Sequence, residues 1–499
     1  MISRLIVMIL LVGCSRGPIV LPAPALTASE NRSSTQLPAP PAAASPSSTP
    51  RPSPTPIPQC EQLVPSPPQY DLEATLDYTG HTLDVEQTVS LINWTGEWLS
   101  ELVFGVNANL RAGVLELQSA AVDDRVPPFQ LAGSWLHMTL DPPLAPGCHT
   151  QATFRYRLNL PPLDPFAWGW RGTLGWNGRQ TLLGEWYPFL AGYRPGAGWL
   201  SEPVSRVGEY QTSESSTFNL RLSVENIEEP TLLASAQAVP CPEAPAAPGQ
   251  MDWTACYELA GTRFFALAVS DVMLTATQTA ADAVITSAYF SDHEQAGQAA
   301  LQVAAGAFQT YSALFGPVPY RSLTVVETDL VDGMEYSGLF YLSAGYYAAY
   351  DDTPQNYLTV IAAHESAHLW FYSLVGNNPA QEPWLDESLA TYAELLYLEA
   401  HHPELVEWWW DFRVRAYAPE GQVDASVYDF IGPRPYINAV YLRGAQLWQS
   451  AREQVGDETF FELLREYIQN GSGKVVQGNA LRGEFARVGV TIPPDLLGP

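Results

Sequence analysis

Positive charge is scarce in this chain. Its 499 residues include 24 lysines and arginines against 53 aspartates and glutamates, which gives a formal net charge of −29 at pH 7. Because so acidic a surface repels a phosphate backbone, nucleic acid is excluded as a partner. The charge identifies no partner by itself, since an acidic surface also keeps a protein in solution.

Long apolar runs are lacking as well. No segment reaches the ~18 consecutive apolar residues of a membrane-spanning helix, and the run Leu5 to Val12, which follows Arg4, is typical of an export signal. It ends in Leu11-Val12-Gly13-Cys14, which resembles the lipobox of bacterial lipoproteins. This resemblance implies removal of residues 1–13 as a signal peptide and a lipid on Cys14 that anchors the protein outside the cytoplasm of a bacterial cell. The alternative is an ordinary secretory signal with an incidental cysteine.

Cysteine is also sparse, with five residues in the chain. Beyond Cys14 four remain, an even number that suggests two disulfides in an exported protein. Cys241 and Cys256 bracket a short segment and are the favoured pair, which leaves Cys60 with Cys148. Free buried thiols are the alternative.

The chain is too long for one core, and its patterns predict four segments. Residues 1–13 are the signal peptide, and residues 14–59, dominated by proline, serine, alanine and threonine, are a disordered stalk. Residues 60–275 show apolar–polar alternation in three stretches, which predicts a large antiparallel sheet domain with one buried face. Residues 276–499 carry mainly helical patterns.

Particular stretches support this division. The alternating ones are 82–93, 152–160 and 218–224, and the helical ones are 294–315, 439–455 and 459–469, with a strand at 321–328. Aromatic residues between 163 and 200 could stack on sugars as exposed side chains, but a core role is favoured in a loop-rich β-domain. These residues are Phe166, Trp168, Trp170, Trp176, Trp186, Tyr187 and Trp199.

Only eight histidines are present, and two of them form the pattern H-E-x-x-H. On a helix His364 and His368 lie one turn apart on one face, so both imidazoles reach a single ion. Glu387 follows after eighteen residues, and its carboxylate completes a His2Glu set for one Zn²⁺ with a fourth position left for water. Chance gives the pentad on the order of once in a hundred such chains. The alternative is a pair of surface histidines.

Capping patterns predict where both helices begin and end. The first has Thr353 as its expected N-cap and Pro354 at its first position, and ends just before Gly376. The second begins near Pro383, which places Glu387 in its first or second turn.

Glu365 follows the first histidine directly, so it lies beside the ion without binding it. Its carboxylate can take a proton from the attacking water and deliver it to the leaving amine. These residues predict a zinc peptidase.

Together the motifs resemble the aminopeptidase N family of zinc metallopeptidases, in which H-E-x-x-H is followed by eighteen residues and a glutamate. PWLDESLATYAE at 383–394 is similar to the family's segment around the third ligand, and FGPVPY at 315–320 to the lead-in to its substrate-binding motif. AVYLRGAQLW at 439–448 is similar to its Y-x-K-G-A segment, with Arg443 in place of the lysine.

The resemblance covers about residues 70–499. It implies an α+β fold, in which a saddle-like antiparallel β-domain precedes a thermolysin-like, mostly helical catalytic domain. It also implies peptide substrates, from which N-terminal residues are removed, and the export signal places this activity outside the cytoplasm. Only 58 residues (499 − 441) follow Tyr441, so the family's large C-terminal helical domain is expected to be missing.

The resemblance assigns roles to further residues. Tyr441 matches the tyrosine that hydrogen-bonds the oxyanion of the tetrahedral intermediate, a task suited to a neutral phenol. Glu335 matches the glutamate that binds the free α-amine of the substrate, with Gly333 and Met334 beside it in the substrate-binding motif.

That motif, Asp332-Gly-Met-Glu-Tyr336, departs from the family's G-A-M-E-N at three positions. The change at Gly333 is mild, but the others alter the backbone or the pocket, so a zinc endopeptidase with an open cleft is one alternative. A non-catalytic lipoprotein that binds peptide or glycan is another. The sequence discloses no oligomeric state.

Overall fold

The computed structural model describes Cys60 and residues 63–64, 66–167, 169–242, 253–493 and 496–497. The described residues form one compact unit. The predicted signal peptide, Cys14 and the stalk lie outside the described residues. Among the helices that are described, none is both long and apolar enough to cross a bilayer.

The first part of this unit is built from strands in which apolar side chains face inward and polar ones outward. The strands are β1 Gln69–Asp77, β2 Thr82–Ile92, β3 Leu99–Gly105, β4 Leu115–Val122, β5 Phe129–Ala132, β6 Trp135–Leu144, β7 His149–Asn159, β8 Leu174–Trp176, β9 Thr181–Leu183, β10 Phe189–Leu190, β11 Tyr193–Arg194, β12 Gly198–Trp199, β13 Ser216–Glu225, β14 Thr231–Ala234, β15 Ala238–Val239, β16 Trp253–Thr262 and β17 Leu267–Ser270. Every second residue of β1 and β2 is buried, as in a sheet with one covered face.

Seven of these strands form the largest sheet, in the order β15-β16-β13-β1-β2-β7-β4. Its strands pair antiparallel except for β1 and β13, which run parallel with Leu72 opposite Leu220. The predicted antiparallel sheet is therefore a mixed one, because β1 takes as a neighbour a strand far along the chain that no local pattern reveals. Two four-stranded sheets, β10-β3-β6-β5 and β14-β17-β9-β8, and the pair β11-β12 complete this part.

The second part combines one sheet with most of the helices. Its elements are β18 Met273–Ala280, β19 Ala283–Phe290, α1 Glu294–Phe315, β20 Ser322–Thr328, β21 Gly333–Tyr336, β22 Leu339–Ser343, α2 Ala344–Ala348, α3 Tyr357–Ala367, α4 Glu387–His401, α5 Val406–Trp409, α6 Pro433–Tyr436, α7 Arg443–Gly471 and α8 Gly478–Val488. The sheet order is β18-β19-β20-β22-β21, so residues 333–336 of the motif that is predicted to bind substrate lie on an edge strand. The predicted division at 275–276 falls within β18 and stays a prediction.

The helix that carries the histidines differs from its predicted limits at both ends. Its N-cap is Asn356, whose side chain accepts from the backbone N–H of Thr359, and not Thr353. The helix ends at Ala367, where the α-helical bonding pattern is lost: the N–H groups of Leu369 and Trp370 donate to carbonyls three residues earlier, and those of Ser373 and Leu374 to carbonyls five residues earlier. His368 is the C-cap and retains helical dihedral angles, so the one-turn spacing of the histidines is preserved.

Other predicted elements agree with the structure or need small corrections. The helix at 294–315 and the strand near 321–328 are present as α1 and β20. Asp386 caps α4 and Glu387 is its first residue, after a short 3-10 turn at Pro383–Leu385. The two helices predicted after residue 439 form α7, which breaks at Gly456, where φ is 78°.

The two disulfides join the predicted pairs, Cys60 with Cys148 and Cys241 with Cys256. The aromatic stretch is only partly core. Trp186 and Tyr187 are buried and Trp176 and Trp199 are half-buried, whereas Phe166 is 86% exposed. The prediction of a core role is therefore wrong for Phe166, which lies in a turn on the surface. The side chains of Trp168 and Trp170 lie outside the described part.

Candidate metal centre and active site

Three side chains converge where α3 and α4 meet. The imidazole centroids of His364 and His368 are 5.0 Å apart, and Glu387 opens α4. One ligand atom from each residue lies within 4.8 Å of the other two. Oε2 of Glu387 is 3.3 Å from Nε2 of His364 and 3.7 Å from Nε2 of His368. The structure thus brings together the three predicted metal ligands.

The second nitrogen of each imidazole faces an acceptor. Nδ1 of His364 lies 3.0 Å from Oε1 of Glu394, and Nδ1 of His368 lies 2.9 Å from the backbone oxygen of Phe371. Because these oxygens accept, both Nδ1 atoms donate, which leaves the two Nε2 atoms as the ligand atoms for a cation. Both Nε2 atoms face a carboxylate oxygen of Glu387, and a cation bound between them would take the place of a proton on each. Two neutral imidazoles and one carboxylate fit Zn²⁺.

Glu394 is a position that sequence reasoning missed. It is buried on α4 and accepts from Nε and Nη2 of Arg413, each at 3.0 Å, and from Nε1 of Trp409 at 2.9 Å. Burial alone would raise the pKa of this carboxyl, but the charge of Arg413 and the other contacts lower it below its usual range. Glu394 therefore stays charged and orients the His364 ring. The sequence does contain a signal for this residue: Glu394 follows Glu387 by seven residues, which is two helical turns, so both side chains lie on the same face of α4.

The turn after His368 is held by a buried cation from the β-rich part. Nε of Arg263 donates to the carbonyl of Tyr372, whose φ is 127°, at 2.8 Å. The other guanidinium nitrogens donate to the carbonyls of Ser213 and Lys474, each at 2.7 Å. One side chain thus fixes the turn whose carbonyl at residue 371 orients His368.

Glu365 lies beside the ligands. Its Oε2 is buried and has no hydrogen-bond partner among the described residues. Burial, followed by repulsion from Glu335, raises the pKa of Glu365 well above its usual range, and the charge of a bound cation acts in the opposite direction. A Cβ at Gly333 would lie 2.1 Å from Oε1 of Glu365. A side chain at this position would therefore require the Glu365 carboxylate to shift.

Strand β21 carries most of the motif that is predicted to bind substrate. Met334 and Glu335 are buried, and Oε1 of Glu335 has no hydrogen-bond partner in the described structure and lies 3.8 Å from Nε2 of His368. Burial raises the pKa of Glu335. Asp332 has φ 74°, and aspartate adopts this left-handed conformation more readily than most residues. The aspartate thus keeps a backbone conformation that glycine would allow.

Tyr441 lies in a π-helical turn, Ile437–Leu442, of a kind often found at functional sites. Its ring is parallel to that of His364 at a centroid distance of 5.8 Å, and its hydroxyl donates to Oε1 of Glu387. Burial, followed by the charge of Glu387, raises the pKa of Tyr441 well above its usual range. The phenol therefore stays neutral and remains a donor.

One pocket joins these groups. The metal ligands, Glu365, Tyr441 and residues 332–335 line it. Its lining also includes residues that sequence reasoning missed, namely Arg171, Gly208, Glu209, Ile361, Arg413 and Ile437. The β-rich part contributes the first three, so it forms a wall of the pocket.

Residues 300–489 match the Peptidase family M1 domain, a range that contains the metal ligands, Glu335, Glu365 and Tyr441. The protein is 27% identical over 188 residues to Aminopeptidase M1-A of Oryza sativa subsp. japonica, a match that covers 35% of this chain and 21% of that protein. It is 26% identical over 193 residues to Endoplasmic reticulum aminopeptidase 1 of Homo sapiens, a match that covers 36% of this chain and 20% of that protein. The chain thus spans about a fifth of the length of the curated relatives it matches.

Solved structures share the fold beyond the M1 domain. The M1 zinc metallopeptidase from Deinococcus radiodurans has a TM-score of 0.57 at 19% identity, with 86% of this chain and 96% of that chain covered. A second structure is a mutant of the M1 zinc metallopeptidase from the same organism, bound to a Tyr-Ser-Ala substrate. It has a TM-score of 0.56 at 20% identity, with 86% of this chain and 96% of that chain covered. These likenesses confirm the predicted α+β fold. The match of residues 300–489 to the Peptidase family M1 domain agrees with the predicted resemblance and implies a catalytic zinc ion.

Proposed function

We propose that this protein is a zinc-dependent aminopeptidase that removes N-terminal residues from peptides. The proposal depends on one observation. The three metal ligands share a pocket with two buried carboxylates, Glu335 and Glu365, each of which has an oxygen without a partner among the described residues. Such oxygens cost free energy unless a ligand supplies donors. The ammonium group of a free peptide N-terminus supplies three.

Each residue then has a task. Zinc, when held by His364, His368 and Glu387, polarises the scissile carbonyl and lowers the pKa of water. Glu335 pairs with the α-ammonium and so fixes how far the scissile bond lies from the chain end, which selects exopeptidase cleavage. Glu365 takes a proton from the attacking water and delivers it to the leaving amine.

Tyr441 stabilises negative charge on the substrate. Its neutral hydroxyl, which donates to Glu387, can turn to the oxygen that becomes negative when the carbonyl is attacked. Removal of one such donor costs on the order of a hundredfold to a thousandfold in rate.

N-acetylation of a peptide is expected to lower its kcat/KM with the zinc-loaded protein by roughly ten- to a hundredfold, since it removes the ammonium that Glu335 binds. In Glu335→Gln, kcat/KM for the free peptide should fall by a similar factor, and acetylation should then have little further effect. Steady-state kinetics with paired fluorogenic peptides measure both ratios, with Glu258→Gln on the exposed side of β16 as the control.

Two results would contradict the proposal. Equal cleavage of free and acetylated peptides would indicate a zinc endopeptidase. Absence of hydrolysis across a panel of aminoacyl substrates, together with absence of bound zinc, would indicate a binding lipoprotein.

We also propose that the protein acts outside the cytoplasm, anchored to a bacterial cell membrane by a lipid on Cys14. The segment Leu11-Val12-Gly13-Cys14 supports this, as do two disulfides, which are typical of oxidising compartments. Cys14→Ser should abolish incorporation of a labelled fatty acid and move the protein from the membrane fraction to the soluble fraction. Unchanged labelling would contradict the anchor.

A further inference from the structure

The segment that leads into strand β21 is held by Ser343, the N-cap of α2, and by Tyr346 within that helix. The Ser343 side chain donates to the carbonyl of Leu330 at 2.8 Å, and its backbone N–H donates to the carbonyl of Asp332 at 2.9 Å. The Tyr346 hydroxyl donates to Oδ1 of Asp332 at 2.6 Å. Three hydrogen bonds from two residues thus fix the start of the strand.

Asp332 occupies a position from which it can direct the course of β21. It lines the pocket, has φ 74° and directly precedes Gly333. The backbone of Gly333 lies so close to the base that a Cβ there would be 2.1 Å from Oε1 of Glu365. Two residues further, on the same face of the strand, lies Glu335, the proposed partner of the α-ammonium. A shift of Asp332 would therefore change how Glu335 lies relative to Glu365.

The Tyr346 phenol is suited to hold a carboxylate. Burial, followed by the charge of Asp332, raises the pKa of Tyr346 above its usual range, so the hydroxyl keeps its proton and donates. Its ring is stacked on that of Tyr357, with the centroids 5.8 Å and the planes 21° apart. Tyr357 is the first residue of α3, the helix that carries the metal-ligating histidines. Tyr346 thus connects the start of β21 to that helix.

The charge of Asp332 also acts on Arg413, another residue of the pocket lining. Burial lowers the pKa of Arg413, but the charge of Glu394 and then that of Asp332 raise it above its usual range. A substitution of Asp332 can therefore act through its charge or through its hydrogen bond with Tyr346. Asparagine separates the two effects, because it is neutral while its Oδ1 still accepts, and because it tolerates a positive φ.

We propose that Tyr346 is a positioning residue for peptide cleavage. Its hydroxyl holds Asp332, and through the backbone of Gly333 it keeps Glu335 at the correct distance from Glu365 and the metal ligands. The glycine that the family motif has in place of Asp332 offers no side chain to hold, so this contact belongs to the departure in this chain. The inference rests on the proposed aminopeptidase activity and adds to it the residue that aligns the amine-binding strand.

The test is a double-mutant cycle with the zinc-loaded protein. Tyr346→Phe keeps the ring and should lower kcat/KM for a free peptide by roughly tenfold, as expected when a hydrogen bond to a charged group is lost. Asp332→Gly, which adopts a positive φ without strain, should cause a similar loss, and the double variant should lose no more than either single variant. Asp332→Asn should keep most of the activity. Tyr357→Phe is the matched control, because its hydroxyl contacts that of Tyr417 at 3.0 Å, and it should equal the wild type.

A second ratio separates positioning from a general loss of folded protein. In Tyr346→Phe, the preference for a free over an N-acetylated peptide should fall by roughly the same tenfold factor, since the acetylated peptide has no ammonium for Glu335 to bind. A smaller folded fraction would lower both rates equally and leave this ratio unchanged.

Other outcomes would overturn the inference. Additive losses in the double variant would do so, since Tyr346 would then act independently of Asp332. So would a Tyr346→Phe variant with wild-type kcat/KM or with an unchanged ratio of free to acetylated peptide. If the wild type cleaves neither peptide, or both equally, the proposed activity fails instead. Calorimetric binding of leucinamide to the four proteins of the cycle then decides the inference, and additive losses of affinity, or no binding by the wild type, would reject it.

Discussion

Glu365→Gln is expected to lower kcat by about 10²- to 10⁴-fold, the usual contribution of a general acid–base group, while the protein keeps its zinc. Glutamine has the size of glutamate and can take its place beside Gly333. Its amide cannot take a proton from water. The residue is also not one of the three metal ligands, so loss of activity should occur without loss of the ion.

The measurement combines kinetics on an aminoacyl fluorogenic substrate with zinc analysis of the same samples. Glu458→Gln serves as a control that removes one negative charge at an exposed position. If the Glu365→Gln variant were as active as the wild type, Glu365 would not be the base. If the variant had lost its zinc, the carboxylate would have to be a ligand.

The metal ligands could be predicted from the sequence because the chemistry depends on local spacing. His364 and His368 are four residues apart, and this spacing survives although α3 begins later and ends earlier than predicted. The limits were wrong because Thr353 and Asn356 are both good caps, and only the packed structure shows that the Asn356 side chain accepts the Thr359 N–H. The four-residue spacing therefore predicts the position of the two histidines more reliably than capping patterns predict the ends of their helix.

The residues that sequence reasoning missed act through contacts between distant segments. Arg263 reaches the turn after His368 from the end of a strand more than a hundred residues earlier, and Glu209 enters the pocket from an irregular loop. Neither lies in a periodic pattern or a motif. The parallel pairing of β1 with β13 has the same cause, because strand partners are chosen by the tertiary fold. Tyr441 was found only through the family resemblance, since nothing local marks its π-helical turn.

Three glutamates of α4 are expected to differ in their effect on zinc affinity. Glu387→Gln removes a ligand charge and should cause the largest loss of bound zinc, together with loss of peptidase activity. Glu394→Gln should weaken zinc binding by about 10- to 100-fold, the usual effect of a partner that orients a ligating histidine. It should also destabilise the fold, because buried Arg413 loses its counterion. Glu399→Gln is the matched control, since this residue pairs with Arg452 and contacts no imidazole.

Zinc content after dialysis against a graded series of chelator concentrations gives the affinity of each variant, and thermal unfolding shows whether the protein remains folded. The expected order of affinity is Glu399→Gln equal to wild type, then Glu394→Gln, then Glu387→Gln. Full retention of zinc by Glu387→Gln would remove it from the ligand set. An unchanged affinity in Glu394→Gln would mean that the Nδ1 contact at 3.0 Å does not orient His364, and that the packing of its ring against Tyr441 is sufficient to hold it.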